Sequence, residues 1–112
     1  MRNPDSESVL MRIFIGESDK HDGKPLYQVL VEMLRREKIA GATVLRGIMG
    51  FGATSHLHTT HILSLSQDMP IIIEIIDSKE NIDRILPDVE KMMGGGLITV
   101  EKVKVLHYQA KP

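Results

Sequence analysis

The sequence contains no cysteine and no tryptophan, and phenylalanine and tyrosine occur only twice each. The absence of cysteine excludes disulfides, thiolate metal sites and cysteine nucleophiles. The scarcity of aromatic side chains leaves few platforms on which nucleic-acid bases could stack. No apolar run approaches the roughly 18 residues that a bilayer-spanning helix requires, and no secretory signal pattern opens the chain. We therefore expect a soluble cytoplasmic protein with no membrane insertion.

Charge of both signs is mixed along the chain, with 14 Lys and Arg residues against 15 Asp and Glu residues and a net charge of −1. There is no basic stripe of the kind that neutralises nucleic-acid phosphates, so no nucleic-acid partner is expected. The 112 residues, 42% of them hydrophobic, are enough for one core and too few for two. We predict a single domain over residues 1–112.

Apolar patterning predicts four strands, and a fifth segment at 61–66 alternates only weakly. The run of isoleucines at 71–76 is interrupted only by Glu74, as in a central strand that is covered on both faces. A shift in apolar phase in the last strand predicts a bulge near Glu101 and Lys102. The second strand is expected to be buried. The predicted strands cover residues 8–16, 42–50, 71–76 and 97–108.

Helical periodicity predicts two helices, over residues 24–38 and 79–93. Pro25 suits the first turn of the first helix because its φ angle is already fixed there. Ser78 is a good N-cap for the second helix. Pro87 falls inside that helix, so a kink or a restart is expected four residues earlier, where a backbone hydrogen bond is lost. The predicted apolar stripe of the first helix comprises Leu26, Val29, Leu30, Met33 and Leu34.

The order βαββαβ predicts an α+β fold of the ferredoxin-like type, a sandwich in which an antiparallel four-stranded sheet carries both helices on one face. The first and third strands are central in this topology, and both are apolar on both faces. Two helices cover only one face of the sheet. We therefore expect the other face to pack against further copies of the chain.

Glycine marks two candidate ligand segments. Gly47, Gly50 and Gly52 follow an apolar run and would cost a strand interior backbone entropy, so they indicate unusual backbone angles or close approach to a bound group. Gly94–Gly96 follow the second helix, where one glycine would suffice to end it. Residues 51–60, which connect the first segment to the second half of the chain, hold too few large apolar groups to order themselves, and we expect them to be mobile without ligand.

The chain resembles the P-II signalling proteins and, more closely, a small P-II-like family of uncharacterised function. The resemblance covers nearly the whole chain and rests on residues 39–44 (IAGATV), Gly50-Phe51-Gly52, Met69-Pro70 and the glycines after the second helix. It implies a homotrimer whose sheets face inward, with clefts between subunits that bind an adenine nucleotide. Carried over residue by residue, it implies ligand-binding roles for Gly50, Phe51, Gly52, Gly94, Gly95 and Gly96.

Two departures from the P-II pattern change what the resemblance implies. Both tyrosines lie outside the loop, so control by nucleotidylation is not expected. Leu97 stands where P-II proteins carry a lysine after the glycines, which leaves a triphosphate poorly compensated. A monophosphate, a cyclic nucleotide or another small anion therefore fits as well as ATP. The cations available instead are Arg46, Lys102 and Lys104.

Three functional hypotheses remain, from different classes. The first is a non-enzymatic sensor that requires no cofactor, in which a bound ligand orders the 51–60 loop and the loop contacts a target such as a membrane transporter or an enzyme. The second is a metal-binding trimer of the divalent-cation-tolerance type, with His56, His58 and His61 as ligands. The third is a small isomerase or decarboxylase with a histidine as general base. We rank the sensor first.

Overall fold

The computed structural model describes residues 7–52, the backbone of 58–59, and residues 68–109. The weak strand expected at 61–66 lies outside these residues. The elements, in chain order, are β1 Ser8–Gly16, β2 Lys20–His21, β3 Lys24–Pro25, α1 Leu26–Arg36, β4 Thr43–Arg46, β5 Met49–Gly50, β6 His58–Thr59, β7 Pro70–Ser78, α2 Lys79–Met92 and β8 Leu97–Val103.

Four of the strands form one antiparallel sheet in the order β4-β7-β1-β8. β1 and β7 are paired along their whole length, from Ser8 opposite Ser78 to Gly16 opposite Pro70. The predicted ferredoxin-like fold is therefore confirmed, with the first strand and the isoleucine-rich strand at its centre.

The core lies between this sheet and the two helices. Successive side chains of a strand point to opposite faces, so every second residue of β1 and β7 faces the helices. Burial of one Val, Leu, Ile or Met side chain in this core stabilises the fold by about 1.5–3 kcal/mol. Val29, which the predicted stripe included, is only half-buried. The buried residues include Val9, Met11, Ile13, Ile15, Ile71, Ile73 and Ile75 from the strands and Leu26, Leu30, Met33, Leu34, Ile82, Ile85 and Val89 from the helices.

The alternate residues of the same strands form what we call the second face of the sheet. On the central strands, Leu10 lies opposite Ile76 and Phe14 lies opposite Ile72. Ile76 keeps 42% of its surface exposed. The expectation that the central strands are apolar on both faces is confirmed. The edge strands add Leu45 and Leu97, which are 43% and 56% exposed.

A small hairpin precedes α1 and shortens it relative to the prediction. β2 and β3 pair on either side of Asp22 and Gly23, whose φ angles are 51° and 81°. A two-residue turn with positive φ at both positions is the hairpin type that the Asp-Gly pair favours, so the sequence did carry this signal. Pro25 belongs to this hairpin, with ψ at 127°, and therefore caps α1 instead of opening it.

Helix α2 begins as predicted. The Oγ atom of Ser78 accepts a hydrogen bond from the backbone N–H of Asn81 at 3.2 Å. Pro87 lies inside α2, which runs unbroken from Lys79 to Met92, so the expected restart does not occur. Pro87 is exposed, and its ring therefore meets solvent and not the core.

The two edge strands differ most from their predictions. β4 ends at Arg46, and Met49–Gly50 forms a separate hairpin with β6. All four residues of β4 are exposed, so the expectation of a buried strand is wrong for the single chain: β4 is an edge strand that pairs with β7 alone, and none of its residues belongs to the buried core. β8 ends at Val103 and has no bulge, since its register with β1 is continuous from Leu97 to Val103. Its apolar residues lie on both faces, which explains the apparent phase shift.

Candidate functional site

The base of the glycine loop packs against the start of β7. The N–H of Gly47 donates to the carbonyl oxygen of Pro70 at 2.7 Å. A Cβ atom at Gly50 would lie 2.9 Å from Cγ of Pro70, and one at Gly47 would lie 3.2 Å from its Cβ. A side chain at Gly50 would therefore force the proline ring to shift, and one at Gly47 would make a tight contact with it.

The next two residues are open to solvent. Phe51 keeps 74% of its surface exposed. Gly52 is exposed too, and a Cβ atom placed there would meet nothing within 4 Å among the residues that the structure describes. Phe51 and Gly52 therefore form an accessible surface at the point where the chain enters the 51–60 loop, whose residues 53–57 and 60 lie outside the described ranges.

The second glycine segment contains one structural glycine and two unconstrained ones. Gly96 has φ at +121°, and a Cβ atom there would lie 2.6 Å from the carbonyl oxygen of Phe14. Any other residue would be strained at this position. Gly94 and Gly95 are exposed, and added Cβ atoms would meet nothing within 4 Å in the described part of the chain. Their backbone is therefore free to approach a ligand.

The two glycine segments lie at the same end of the sheet but at opposite edges. Arg46, just before the first segment, pairs with Ile71, and Leu97, just after the second, pairs with Phe14. β4 and β8 are the edge strands, separated by three strand spacings of about 4.8 Å each. One chain therefore does not bring the two segments together. β4 runs toward this end and β8 runs away from it.

Of the three cations proposed from the sequence, Arg46 is the one that lies beside the base of the glycine loop. Its Nε atom lies 3.1 Å from each carboxylate oxygen of Glu17. Lys102 lies toward the other end of β8, opposite Val9, and its Nζ atom is 3.5 Å from Oε1 of Glu7. Lys104 follows the end of that strand. In one chain, these two lysines do not compensate a phosphate at the glycine segments.

Three carboxylates at the same end of the sheet were not identified as site residues from the sequence. Besides Glu17, Asp19 accepts from the N–H of Gly16 at 2.9 Å, and Asp68 accepts from the N–H of Ser18 at 2.9 Å. The sequence placed these acids in turns but gave no sign that the two turns meet. The three carboxylates add negative charge at the end of the sheet where Arg46 lies. An anionic ligand at this end must overcome their repulsion.

A fourth carboxylate, Asp77, is fully buried and has a structural role. It accepts hydrogen bonds from the N–H groups of Ala40 and Ser78 at 2.8 and 2.7 Å and from Nδ2 of Asn81 at 2.9 Å. Burial by itself raises the pKa of Asp77, but the hydrogen bonds that its carboxylate accepts, among them those from Asn81, Ala40 and Ser78, together hold the pKa below its ordinary value. Asp77 thus joins the end of β7 to α2 and to the segment after α1.

The histidine hypothesis falls mostly outside the described residues. His56 and His61 lie there, and His58 is placed by its backbone alone, in β6. Over residues 7–52 and 68–109, no group of three or more His, Asp or Glu side chains is arranged to hold a metal ion. In the same residues, no helix is both long and apolar enough to span a bilayer.

Comparison with known sequences gives a match over most of the chain. The profile of the family DUF190, described as "Uncharacterized ACR", matches residues 8–105. A UPF0166 protein from Aquifex aeolicus (strain VF5) is 39% identical over 98 residues, which cover 88% of this chain and 92% of that protein. A UPF0166 protein from Methanocaldococcus jannaschii is 39% identical over 92 residues, covering 81% and 84%.

Solved structures with the same fold include PII-like proteins. A PII-like signaling protein from Thermus thermophilus superposes with a TM-score of 0.64 at 24% identity, covering 89% of this chain and 90% of the other. The nitrogen regulatory PII-like protein CPII from Thiomonas intermedia K12, bound to ADP and bicarbonate, gives a TM-score of 0.58 at 17% identity and covers 88% of each chain. At these identities the likeness establishes a PII-like fold.

Proposed function

The chain belongs to the DUF190 family, and we propose that it is a non-enzymatic regulatory protein of the PII-like type. In this proposal three copies assemble through their sheets, and an adenine nucleotide binds in the cleft between neighbouring subunits. The occupied cleft orders the 51–60 loop, and the loop then contacts a target protein, such as a transporter or an enzyme.

The observation that carries the proposal is the placement of the two glycine segments. They lie at one end of the sheet on its two edge strands, and those strands run in opposite directions. If β4 of one copy approaches β8 of the next edge to edge with the same ends of the sheets together, the two strands are antiparallel, an orientation in which their backbones can pair. That arrangement brings Gly50–Gly52 of one copy beside Gly94–Gly96 of the next and completes a site that one chain leaves divided.

The second face of the sheet supports self-association. Its central strands carry Leu10, Phe14, Ile72 and Ile76, and these are only partly covered within one chain. Apolar surface of this kind, interrupted on the central strands by the Arg12–Glu74 pair, is typical of interfaces between subunits. Three inward-facing sheets would remove it from water.

Two features favour a phosphate-bearing ligand. Gly94 and Gly95 have room for backbone N–H groups to approach a bound anion, and a run of such groups can cradle phosphate without a side chain. Arg46 supplies a guanidinium, which binds phosphate through charge-assisted hydrogen bonds. CPII, which shares the fold, binds ADP and AMP, and this makes adenine nucleotides the first ligands to test.

The proposal is tested by thermal denaturation of the purified protein with ADP, AMP, ATP and adenosine, together with light scattering to measure its mass. A ligand at 100 times its dissociation constant adds about 2.7 kcal/mol to the stability of the native state and raises its melting temperature. We expect a trimer mass and a higher melting temperature with at least one nucleotide. A monomer mass at micromolar concentration, with no shift for any nucleotide, would refute the proposal.

A further inference from the structure

The cation at the candidate site is already engaged by a carboxylate of the same chain. Arg46 is the last residue of β4, and its Nε atom lies 3.1 Å from both Oε1 and Oε2 of Glu17. The side chains of Arg46 and Glu17 remain 44% and 24% exposed. Because solvent reaches both side chains, the ion pair is weak, and Arg46 can exchange Glu17 for another anion.

Glu17 is held in place independently of Arg46. It directly follows β1, its N–H donates to the carbonyl oxygen of Met69 at 2.8 Å, and its Oε1 atom accepts from the N–H of Met69 at 3.4 Å. The carboxylate is therefore fixed at the junction of β1 and β7. Through Arg46 the end of β4 is tied to the same junction.

The pair lies directly before the loop base. Gly47 follows Arg46 and donates its N–H to Pro70, and Gly50 crosses the ring of the same proline. A change of partner at Arg46 is thus one residue away from the glycines that lead into the 51–60 loop. The carboxylates of Asp19 and Asp68 at this end of the sheet add to the charge that an arriving anion meets.

We propose that Glu17 is an internal competitor for the phosphate of the ligand and so determines the affinity of the site. This inference rests on the proposed function. In the ligand-free protein Arg46 binds the Glu17 carboxylate. When a phosphate enters, the guanidinium moves to it, because phosphate oxygens form charge-assisted, bidentate hydrogen bonds with Arg and the exposed Arg–carboxylate pair that is given up is weak. The end of β4 is then held by the ligand instead of by the β1–β7 junction, and occupancy is communicated to the loop.

Substitution of Glu17 separates competition from a merely structural role. Glu17→Gln keeps the size of the side chain and removes its charge, so Arg46 becomes available and ADP should bind up to about fivefold more tightly than to the wild type, the most that release of an exposed ion pair provides. The gain should shrink as salt is raised, because it is electrostatic. Arg46→Gln should weaken ADP binding. The matched control is Glu37→Gln, whose carboxylate also pairs with an arginine, Arg84 at 2.9 Å, but between the two helices.

The affinities are measured by isothermal titration calorimetry of ADP and AMP into the wild type and the Glu17→Gln, Arg46→Gln and Glu37→Gln variants at two salt concentrations. Glu17→Asp serves as a second variant in case Glu17→Gln folds poorly, since the shorter acid keeps its charge but holds Arg46 less well and should give a smaller gain. If the wild type binds ADP and neither Glu17 variant binds it more tightly, the competitor role is refuted and the proposed function stands. If no variant and no wild-type protein binds either nucleotide, the proposed function itself fails.

Discussion

Arg12 and Glu74 lie directly opposite each other on the two central strands, with Nε of Arg12 2.8 Å from Oε2 of Glu74. They are the charged residues within the otherwise apolar runs 9–15 and 71–76. A second bond joins Nη1 of Arg12 to Oε1 of Glu101 at 2.9 Å. The hydrogen bond to Glu74 and, to a smaller extent, the hydrogen bond to Glu101 raise the pKa of Arg12 above its ordinary value. The second face is therefore an apolar surface with one ion-pair network at its centre.

The first prediction concerns that network. Arg12→Met leaves Glu74 and Glu101 close together without their cation. If copies cover the second face, the uncompensated carboxylates are buried and the assembly is destabilised. Lys79→Met is the control, because the Lys79–Asp83 pair lies on the exposed side of α2 and its loss should change stability little. Light scattering and urea unfolding measure both effects. Equal mass and stability in the two variants would show that the second face is not an interface.

The second prediction uses two neighbouring isoleucines that point to opposite faces. Ile73 is 0% exposed beneath the helices, whereas Ile72 lies on the second face. Ile73→Lys should unfold the protein, because an unpaired charge enters the core. Ile72→Lys should leave a folded chain that no longer assembles. Circular dichroism reports folding and light scattering reports mass. An Ile72→Lys trimer of wild-type stability would contradict an interface on this face.

Periodicity predicted the fold well where burial is decided inside the chain. Ile73 and Met11 face a core that the chain itself supplies, and an apolar pattern reports such burial directly. Val44 and Val100 are apolar and yet 38% and 50% exposed. Their sequence suggests burial that one chain does not provide, because both lie on edge strands. The expected buried second strand was wrong for this reason, and the expected bulge in the last strand was wrong because its apolar residues lie on both faces of a strand with continuous register.

The site was only partly predictable. Gly50 and Gly96 could be recognised from the sequence, because each lies where a Cβ atom would collide with a neighbouring residue. The sequence did not indicate a role for Glu17, because its partner Arg46 is 29 residues away. The two meet only because β1 and β4 end at the same end of the sheet. Contacts of that kind follow from strand order, and local sequence patterns do not carry them.

The third prediction concerns Asp77. Asp77→Ala removes the acceptor for the N–H groups of Ala40 and Ser78 and for Asn81, and should cost about 2–4 kcal/mol at pH 7. Because the folded-state pKa of Asp77 is lowered, its ionised form stabilises the protein above the unfolded pKa of about 3.9. That contribution is lost as the pH falls through the lower folded value. The stability gap between wild type and Asp77→Ala, measured by urea unfolding, should therefore narrow below about pH 4. Asp83→Asn on the exposed side of α2 should show no such gap.

The fourth prediction separates Gly96 from Gly95. Gly96→Ala places a Cβ atom 2.6 Å from the carbonyl oxygen of Phe14 at a positive φ, and should destabilise the protein by about 1–3 kcal/mol. Gly95→Ala adds a Cβ atom with nothing within 4 Å in the described residues and should leave stability unchanged or slightly higher. Thermal unfolding of the two variants makes the comparison. Equal melting temperatures would mean that the segment adjusts without strain.

The last prediction distinguishes the nucleotide site from a histidine metal site. Gly52→Val and Gly95→Val should both preserve the fold, because a Cβ atom at either position meets nothing within 4 Å in the described residues. Both should abolish stabilisation by ADP, because the side chain occupies the space through which the backbone approaches phosphate. The double variant His56→Ala with His58→Ala should retain the ADP effect and lose any stabilisation by Zn²⁺. Hydrogen exchange over residues 51–60, with and without ADP, then tests the switch itself. Outside the two residues of β6, which pair with β5, we expect fast exchange without ADP and protection with it. A segment that is already fully protected without ligand would refute an ordering switch.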